Sequence, residues 1–204
     1  MRRIVKGEEP PVLTDWKRKN SGKGYQNLNR EIRQSIRTCC FKEQFGLCAY
    51  CCKRIDEKNC VNEHVVAQRI NPRLSLDYNN IVASCSTKGQ CDDAHGSEPL
   101  PLTPLMNECE TELCFRLSGR VEGLTKRAQQ SIKVLGLDNR ALKETRKQMI
   151  DALIFIHGSY PHEIEVLDND LMGLMIEELE EVDENHILPA FAPILVNILR
   201  QLLE

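Results

Sequence analysis

Between Cys48 and His95 the chain concentrates residue types that bind metals and move protons. Cys48 and Cys51 are separated by two residues, and Cys85 and Cys91 follow roughly thirty-five residues later. Four thiolates so arranged suit a closed tetrahedral zinc site, whose role is to stabilise a fold rather than to catalyse. Cys52 and Cys60 are rival ligands, and free cysteines also serve as small buried core residues. That second reading is given to Cys39, Cys40, Cys109 and Cys114, placed on helix faces. Between the thiol pairs lies Asn62-Glu63-His64-Val65-Val66, an adjacent carboxylate and imidazole in a short apolar setting. Neighbouring strand residues point to opposite faces, so one of the two can bind a metal while the other faces a water. Asp77-Tyr78-Asn79-Asn80-Ile81 and Cys91-Asp92-Asp93-Ala94-His95-Gly96 come next, and Asp92 and His95 share a face if that segment is helical. His157, His162 and His186 lack comparable surroundings and read as solvated or packed.

Certain elements must hold these groups in place. From Lys6 to Tyr25, Pro10, Pro11, Gly22 and Gly24 interrupt any helical period, which predicts an extended arm anchored by Trp16. Over residues 29–45, Ile32, Ile36 and Cys39/Cys40 recur at helical steps, with Arg30, Arg33 and Arg37 on another face, which predicts an amphipathic helix ending at Gly46. Residues 47–100 lose that period and read as short strands and loops around metal. After a bend from Pro99 to Pro104, helical patterns occupy about 123–136, 139–157, 167–182 and 188–203, broken at Gly136, Gly158-Ser159-Tyr160-Pro161 and Pro189. The predicted organisation is a basic arm and helix (1–46), a metal-bound module (47–100) and an all-helical region (101–204), acidic toward its end.

His64, Asn80 and His95, in that order and threaded through the two cysteine pairs, resemble the His-Asn-His pattern of HNH endonucleases over residues 47–97. The resemblance implies a mostly helical α+β fold built on a zinc-stapled ββα-metal module. It also implies roles: His64 as general base, Asn80 orienting it, and Glu63 with His95 holding one catalytic Mg2+ or Mn2+, with Asp92 as a further ligand. Asn79 is the rival for the place of Asn80, and the Asp92-Asp93 pair departs from the family pattern.

A narrower resemblance takes in Lys6-Gly-Glu-Glu-Pro-Pro-Val-Leu-Thr-Asp-Trp16, the central module, and Ile132-Lys-Val-Leu-Gly-Leu-Asp-Asn-Arg140 with Leu142 and Arg146. These are similar to the PtuB nucleases of Septu and retron-linked anti-phage systems. The resemblance implies a complex with an ABC/SMC-type ATPase, PtuA, and for retron systems a reverse transcriptase with its RNA and DNA. Leu171, Leu174, Met175 and Leu179, with Ile194, Leu195, Ile198, Leu199 and Leu202, form apolar faces that suit ordinary bundle core, with an interface as the alternative.

Charge is unevenly distributed. Residues 1–40 carry ten Lys/Arg against four acids, whereas residues 160–204 carry eleven acids against Arg200 alone. The basic end suits phosphate contacts, and Lys17, Arg18 and Lys19 beside Trp16 are candidates for tracking a nucleic-acid backbone. The acidic end would be repelled by a polyanion and suits a protein partner or plain solvation. No stretch approaches the ~20 apolar residues of a membrane span and no secretory apolar region follows Met1-Arg2-Arg3, which predicts a cytoplasmic protein with reduced thiols. The competing reading is a zinc-binding module for nucleic acid or protein in which Glu63, His64 and His95 only support the fold. A redox role for Cys48 and Cys51 is disfavoured because no thioredoxin-like βαβ pattern surrounds them.

Overall fold

The computed structural model describes residues 1–156 and 168–203, so His157, His162 and the break at Gly158 to Pro161 lie outside the described residues. The fold is a mostly helical α+β arrangement, as expected, with seven α-helices and two small antiparallel hairpins among the described residues. One continuous cluster of buried side chains runs through it from Met1 to Leu199.

The arm is the first correction. It contains helix α1, Pro11–Lys19, in place of the extended segment that its Pro and Gly residues predict. Pro11 at the first helical position is already set for helical φ and loses no needed donor, while Lys17, Arg18 and Lys19 in the last turn complement the helix dipole. Leu13 is fully buried and Trp16 packs against the core. Ahead of α1, the Ile4 N–H bonds the Pro104 carbonyl at 2.7 Å. The nearly buried Lys6 ammonium pairs with Glu43 at 2.7 Å, donates to the Ile81 carbonyl at 2.9 Å and sits 3.7 Å over the Tyr78 ring.

Helix α2, Arg30–Glu43, forms where the periodicity places it. The Asn29 side chain caps it by accepting from the Ile32 N–H at 2.9 Å, and Ile32, Ile36 and Cys40 face the core. Strands β1 (Val61–His64) and β2 (Ile81–Ser84) pair with Glu63 opposite Val82 and His64 opposite Ile81. The other edge of β2 is closed by a side chain: Gln44 accepts from the Ala83 N–H and donates to the Ala83 carbonyl, both at 2.7 Å, substituting for a third strand. Helix α3 is the single turn Asp92–His95.

The carboxyl half departs from the all-helical expectation. Strands β3 (Leu113–Phe115) and β4 (Val121–Gly123) form a hairpin before the helices α4 (Lys126–Val134), α5 (Arg140–Ile156), α6 (Asn169–Glu180) and α7 (Ala192–Leu203). Three-residue strands are too short for their alternation to stand out against the flanking helical period, and α7 supplies what they lack. Asn197 accepts from the Phe115 N–H at 3.0 Å, and Gln201 donates to the Phe115 carbonyl at 3.1 Å. Cys114 therefore lies in a strand rather than on a helix, while Cys109 ends a short 3-10 helix, and both are buried. Met175, Leu179, Ile194, Leu195, Ile198 and Leu199 are core residues, whereas Leu174 is exposed. No described helix is long and apolar enough to cross a membrane.

Gly136, where α4 ends, has φ +58, and a Cβ there would lie 2.5 Å from the Gly89 carbonyl oxygen. A left-handed conformation costs an L-residue about 1–2 kcal/mol, and overpacking adds about 1–3 kcal/mol. Gly136→Ala is therefore expected to lower unfolding free energy by about 2–5 kcal/mol in urea titration, with an unchanged m-value.

Candidate metal centre and active site

The four cysteines singled out by spacing converge. The sulfurs of Cys48, Cys51, Cys85 and Cys91 all lie within 4.8 Å of one another, and all four residues are buried. Cys51 Sγ and Cys85 Sγ are 3.9 Å apart, too far for a disulfide and close to the ~3.8 Å edge of a tetrahedron with Zn–S of about 2.3 Å. The rivals Cys52 and Cys60 are buried but outside this set. Donor number, donor type and separation fit a structural zinc.

Local backbone explains the convergence. The Cys48 N–H bonds the Lys53 carbonyl at 2.8 Å and the Cys52 N–H bonds the Cys48 carbonyl at 3.1 Å, folding residues 48–53 into a tight knuckle. Cys85 follows the end of β2, and its N–H donates to Cys48 Sγ at 3.3 Å. The Gln90 amide reaches Cys85 Sγ at 3.5 Å and Cys51 Sγ at 3.8 Å. Such donors favour sulfur in its anionic, metal-binding form.

Glu63, His64, Asn80 and His95 are all buried, with Glu63 and His64 on opposite faces of β1. His64 Nε2 lies 3.0 Å from the Ser75 carbonyl, which can only accept, so that nitrogen carries the hydrogen and Nδ1 keeps its lone pair. The Gln68 amide donates to Nδ1 at 3.3 Å, and the Tyr25 ring stands edge-on to the imidazole at 4.8 Å between centroids. Burial holds the His64 imidazole below its ordinary pKa, against the opposing pull of the Ser75 carbonyl and Glu63. Asn80 clamps the loop after β1 through both backbone groups of Val66, accepting from its N–H at 2.8 Å and donating to its carbonyl at 2.9 Å. Its amide also reaches the Leu74 carbonyl, beside Ser75, at 3.4 Å. Asn79 is exposed and capped locally by Asp77.

Glu63 turns the other way, touching His95 Nδ1, while His95 Nε2 donates to the Glu98 carbonyl at 2.9 Å. With Nε2 committed, a neutral His95 would aim the Nδ1 lone pair at a carboxylate. Burial opposes a charge on His95, but the Glu63 carboxylate outweighs it and raises the imidazole above its ordinary pKa. Asp92, one helical turn before His95, is pushed up to about 7 by burial and by its hydrogen bond and like charge with Glu63. Two crowded carboxylates and an imidazole nitrogen form a donor set that fits a hard divalent cation. Among the described residues, the cysteine set is nevertheless the one group of three or more such donors that closes within 4.8 Å. Glu63 joins Asp92 and His95 pairwise.

Three contributors carry no sequence signal. Ser75 acts through its carbonyl, which any residue has, Gln68 is an isolated amide four positions after His64, and Tyr50 donates to Glu63 at 3.4 Å from inside the knuckle. Of the basic trio on α1, Lys17 pairs with Glu9 and Arg18 with Asp15, so much of its charge is already matched. His186 is exposed.

No protein-family model matches the chain. It is similar to a protein of Vibrio cholerae serotype O1 biovar El Tor named as the candidate HNH endonuclease of retron Vc95, with 24% identity over 163 residues covering 73% of this chain and 78% of the relative. The chain is thus a distant homologue of a protein assigned to the HNH endonucleases.

Removing one sulfur should disrupt the whole centre. Cys91→Ser is expected to strip the zinc that the native chain retains through dialysis, as read by metal analysis, and to lower the thermal midpoint by more than a buried Cys→Ser change away from the cluster, such as Cys109→Ser.

Proposed function

We propose that the chain is a metal-dependent HNH endonuclease that hydrolyses phosphodiester bonds of nucleic acid, DNA or an RNA such as tRNA. The observation that carries this reading is the division of labour across β1. His64 is fixed with Nδ1 as its acceptor nitrogen, held only by a long bond from the Gln68 amide, while the adjacent Glu63 turns away to Asp92 and His95. His64 is the general base: a water attacking phosphorus gives its proton to Nδ1, and the phosphorus bond to the leaving oxygen breaks. A lowered imidazole pKa keeps this base neutral near pH 7. Asn80 is a positioning residue, since it holds Val66, two residues after His64, and reaches the Leu74 carbonyl, next to the Ser75 carbonyl that takes His64 Nε2. Glu63, Asp92 and His95 are the residues that would hold a Mg2+ or Mn2+, which supplies charge neutralisation at the leaving oxygen.

The relative's name places that protein in a retron. With the resemblance to PtuB nucleases, this supports reading the chain as the effector of an anti-phage complex with a PtuA-like ABC/SMC ATPase and, in a retron setting, a reverse transcriptase with its RNA and DNA. The exposed acids Glu177, Glu178, Glu180, Glu181, Asp183 and Glu184 on and after α6 suit a basic protein partner better than a polyanion.

The test is cleavage of plasmid DNA and bulk tRNA by the purified chain, with and without a co-expressed ATPase, in magnesium or manganese. His64→Ala is expected to lower the rate by about 10²- to 10⁴-fold while keeping zinc content and the circular-dichroism spectrum. Equal rates in both proteins would remove His64 from its role. Absence of metal-dependent cleavage in every partnered condition would favour a binding module.

A further inference from the structure

The sequence places three arginines on α2, and the structure gathers them at a groove no step above uses. The groove has a volume of about 470 Å³ and is lined by Leu28, Arg30, Arg33, Gln34, Arg37 and Lys58. Its four cations enter no ion pair among the described residues, in contrast to Lys17 and Arg18 on α1. Two of them carry unmet donors: Arg33 Nε and Arg37 Nε are buried with no hydrogen-bond partner. A buried guanidinium N–H without an acceptor is costly, and with four cations outside any ion pair among the described residues the groove is short of hydrogen-bond acceptors and negative charge. The neighbouring acids do not supply them. Glu57 is engaged by the Thr38 hydroxyl, and Glu31 is exposed.

The groove adjoins the proposed base. Arg33 lies 5.1 Å from the Tyr25 ring centroid and donates to the Tyr25 carbonyl at 3.2 Å, and the same ring stands edge-on to His64 at 4.8 Å. Asn62, two residues before His64 on β1, donates to the Tyr25 hydroxyl and to the Arg33 carbonyl, both at 2.8 Å. A strand lying along α2 would thus run past Tyr25 toward His64.

We propose that this groove binds the sugar–phosphate backbone of the substrate nucleic acid and leads the scissile strand to His64. The proposal rests on the nuclease reading for its substrate class. Planar guanidiniums suit phosphate oxygens, and the Arg30 and Lys58 side chains that line the groove are exposed. Phosphate contacts of this kind are sequence-independent and steeply salt-dependent.

The experiment measures binding of a short fluorescein-labelled DNA duplex and of labelled tRNA across a salt series. It uses the His64→Ala protein, so that the probes stay intact. Adding Arg30→Gln, Arg37→Gln and Lys58→Gln is expected to weaken binding at least tenfold at low salt. It should also flatten the slope of log affinity against log salt by about 2–3, near one for each phosphate no longer bound. If that protein misfolds, the exposed pair Arg30→Gln/Lys58→Gln is expected to flatten the slope by about 1–2. An unchanged slope and affinity in a folded variant would overturn the groove. So would a larger drop in affinity on replacing Lys17, Arg18 and Lys19. Failure of the nuclease reading is separable: metal-dependent cleavage absent from the native chain, with the groove variant still losing its salt slope, leaves a nucleic-acid-binding groove without catalysis.

Discussion

Convergence of four thiols from three separate stretches is the constraint on which the rest of this structure depends. The paired strands beside it are four residues each, and a two-stranded hairpin of that size has marginal stability in water. The knuckle anchors the chain before β1, Cys85 fixes the end of β2, and Cys91 starts α3. His95 N–H bonds the Cys91 carbonyl at 2.8 Å, so the imidazole at the Glu63 contact is placed by the residue that closes the sulfur set. Cys91 itself adopts φ 53, a conformation costly for an L-residue, and a shared metal is the kind of interaction that maintains such strain.

Helices from the carboxyl half buttress this centre through the backbone. The Cys91 N–H bonds the Leu135 carbonyl at 2.9 Å at the end of α4, and Gly136 then passes against Gly89. From the other direction, the Phe191 N–H bonds the Cys52 carbonyl at 2.9 Å and the Leu188 N–H bonds the Phe45 carbonyl at 3.0 Å, just ahead of α7. Both turns that present cysteines are thus held by main-chain bonds to segments distant in sequence, one of them the end of a packed helix. Arg146 on α5 follows the same logic for the β3–β4 hairpin, its buried guanidinium donating to the Gly119 carbonyl at 2.6 Å.

What can be read from the sequence follows from what sequence encodes locally. The cysteine cluster is legible because a two-residue spacing brings two thiols to one turn, and the amphipathic helices because a buried stripe repeats with the helical period. Helix α1 is not legible. Its buried anchor is Leu13, and its flanking Pro and Gly residues resemble those of a loop. The β3–β4 hairpin is hidden for a related reason: its edge is satisfied by Asn197 and Gln201, polar residues on a helix far along the chain. Around the candidate site the residue types are legible and their partners are not. Asn80 and His95 stand out by type and spacing, but the Ser75, Glu98 and Val66 backbone groups that fix the local geometry have no side-chain signature.

In the nuclease reading proposed above, charge placement separates the two tasks of a phosphodiesterase. On that reading, Glu63 and Asp92 place two carboxyl groups beside His95, which offer a phosphate backbone no donor of their own beyond the His95 ring. Recruitment has to come from positive charge placed outside the carboxylate set yet close to the base. Arg30, Arg33, Arg37 and Lys58 meet that requirement, being unpaired among the described residues and linked to His64 through the Tyr25 ring and Asn62. The cations of α1 meet it less well, because Glu9 and Asp15 already neutralise two of them. The exposed acids on and after α6, of which Glu180 and Asp183 pair with Arg200 and Arg54, leave that helix less suited to a polyanion than α2.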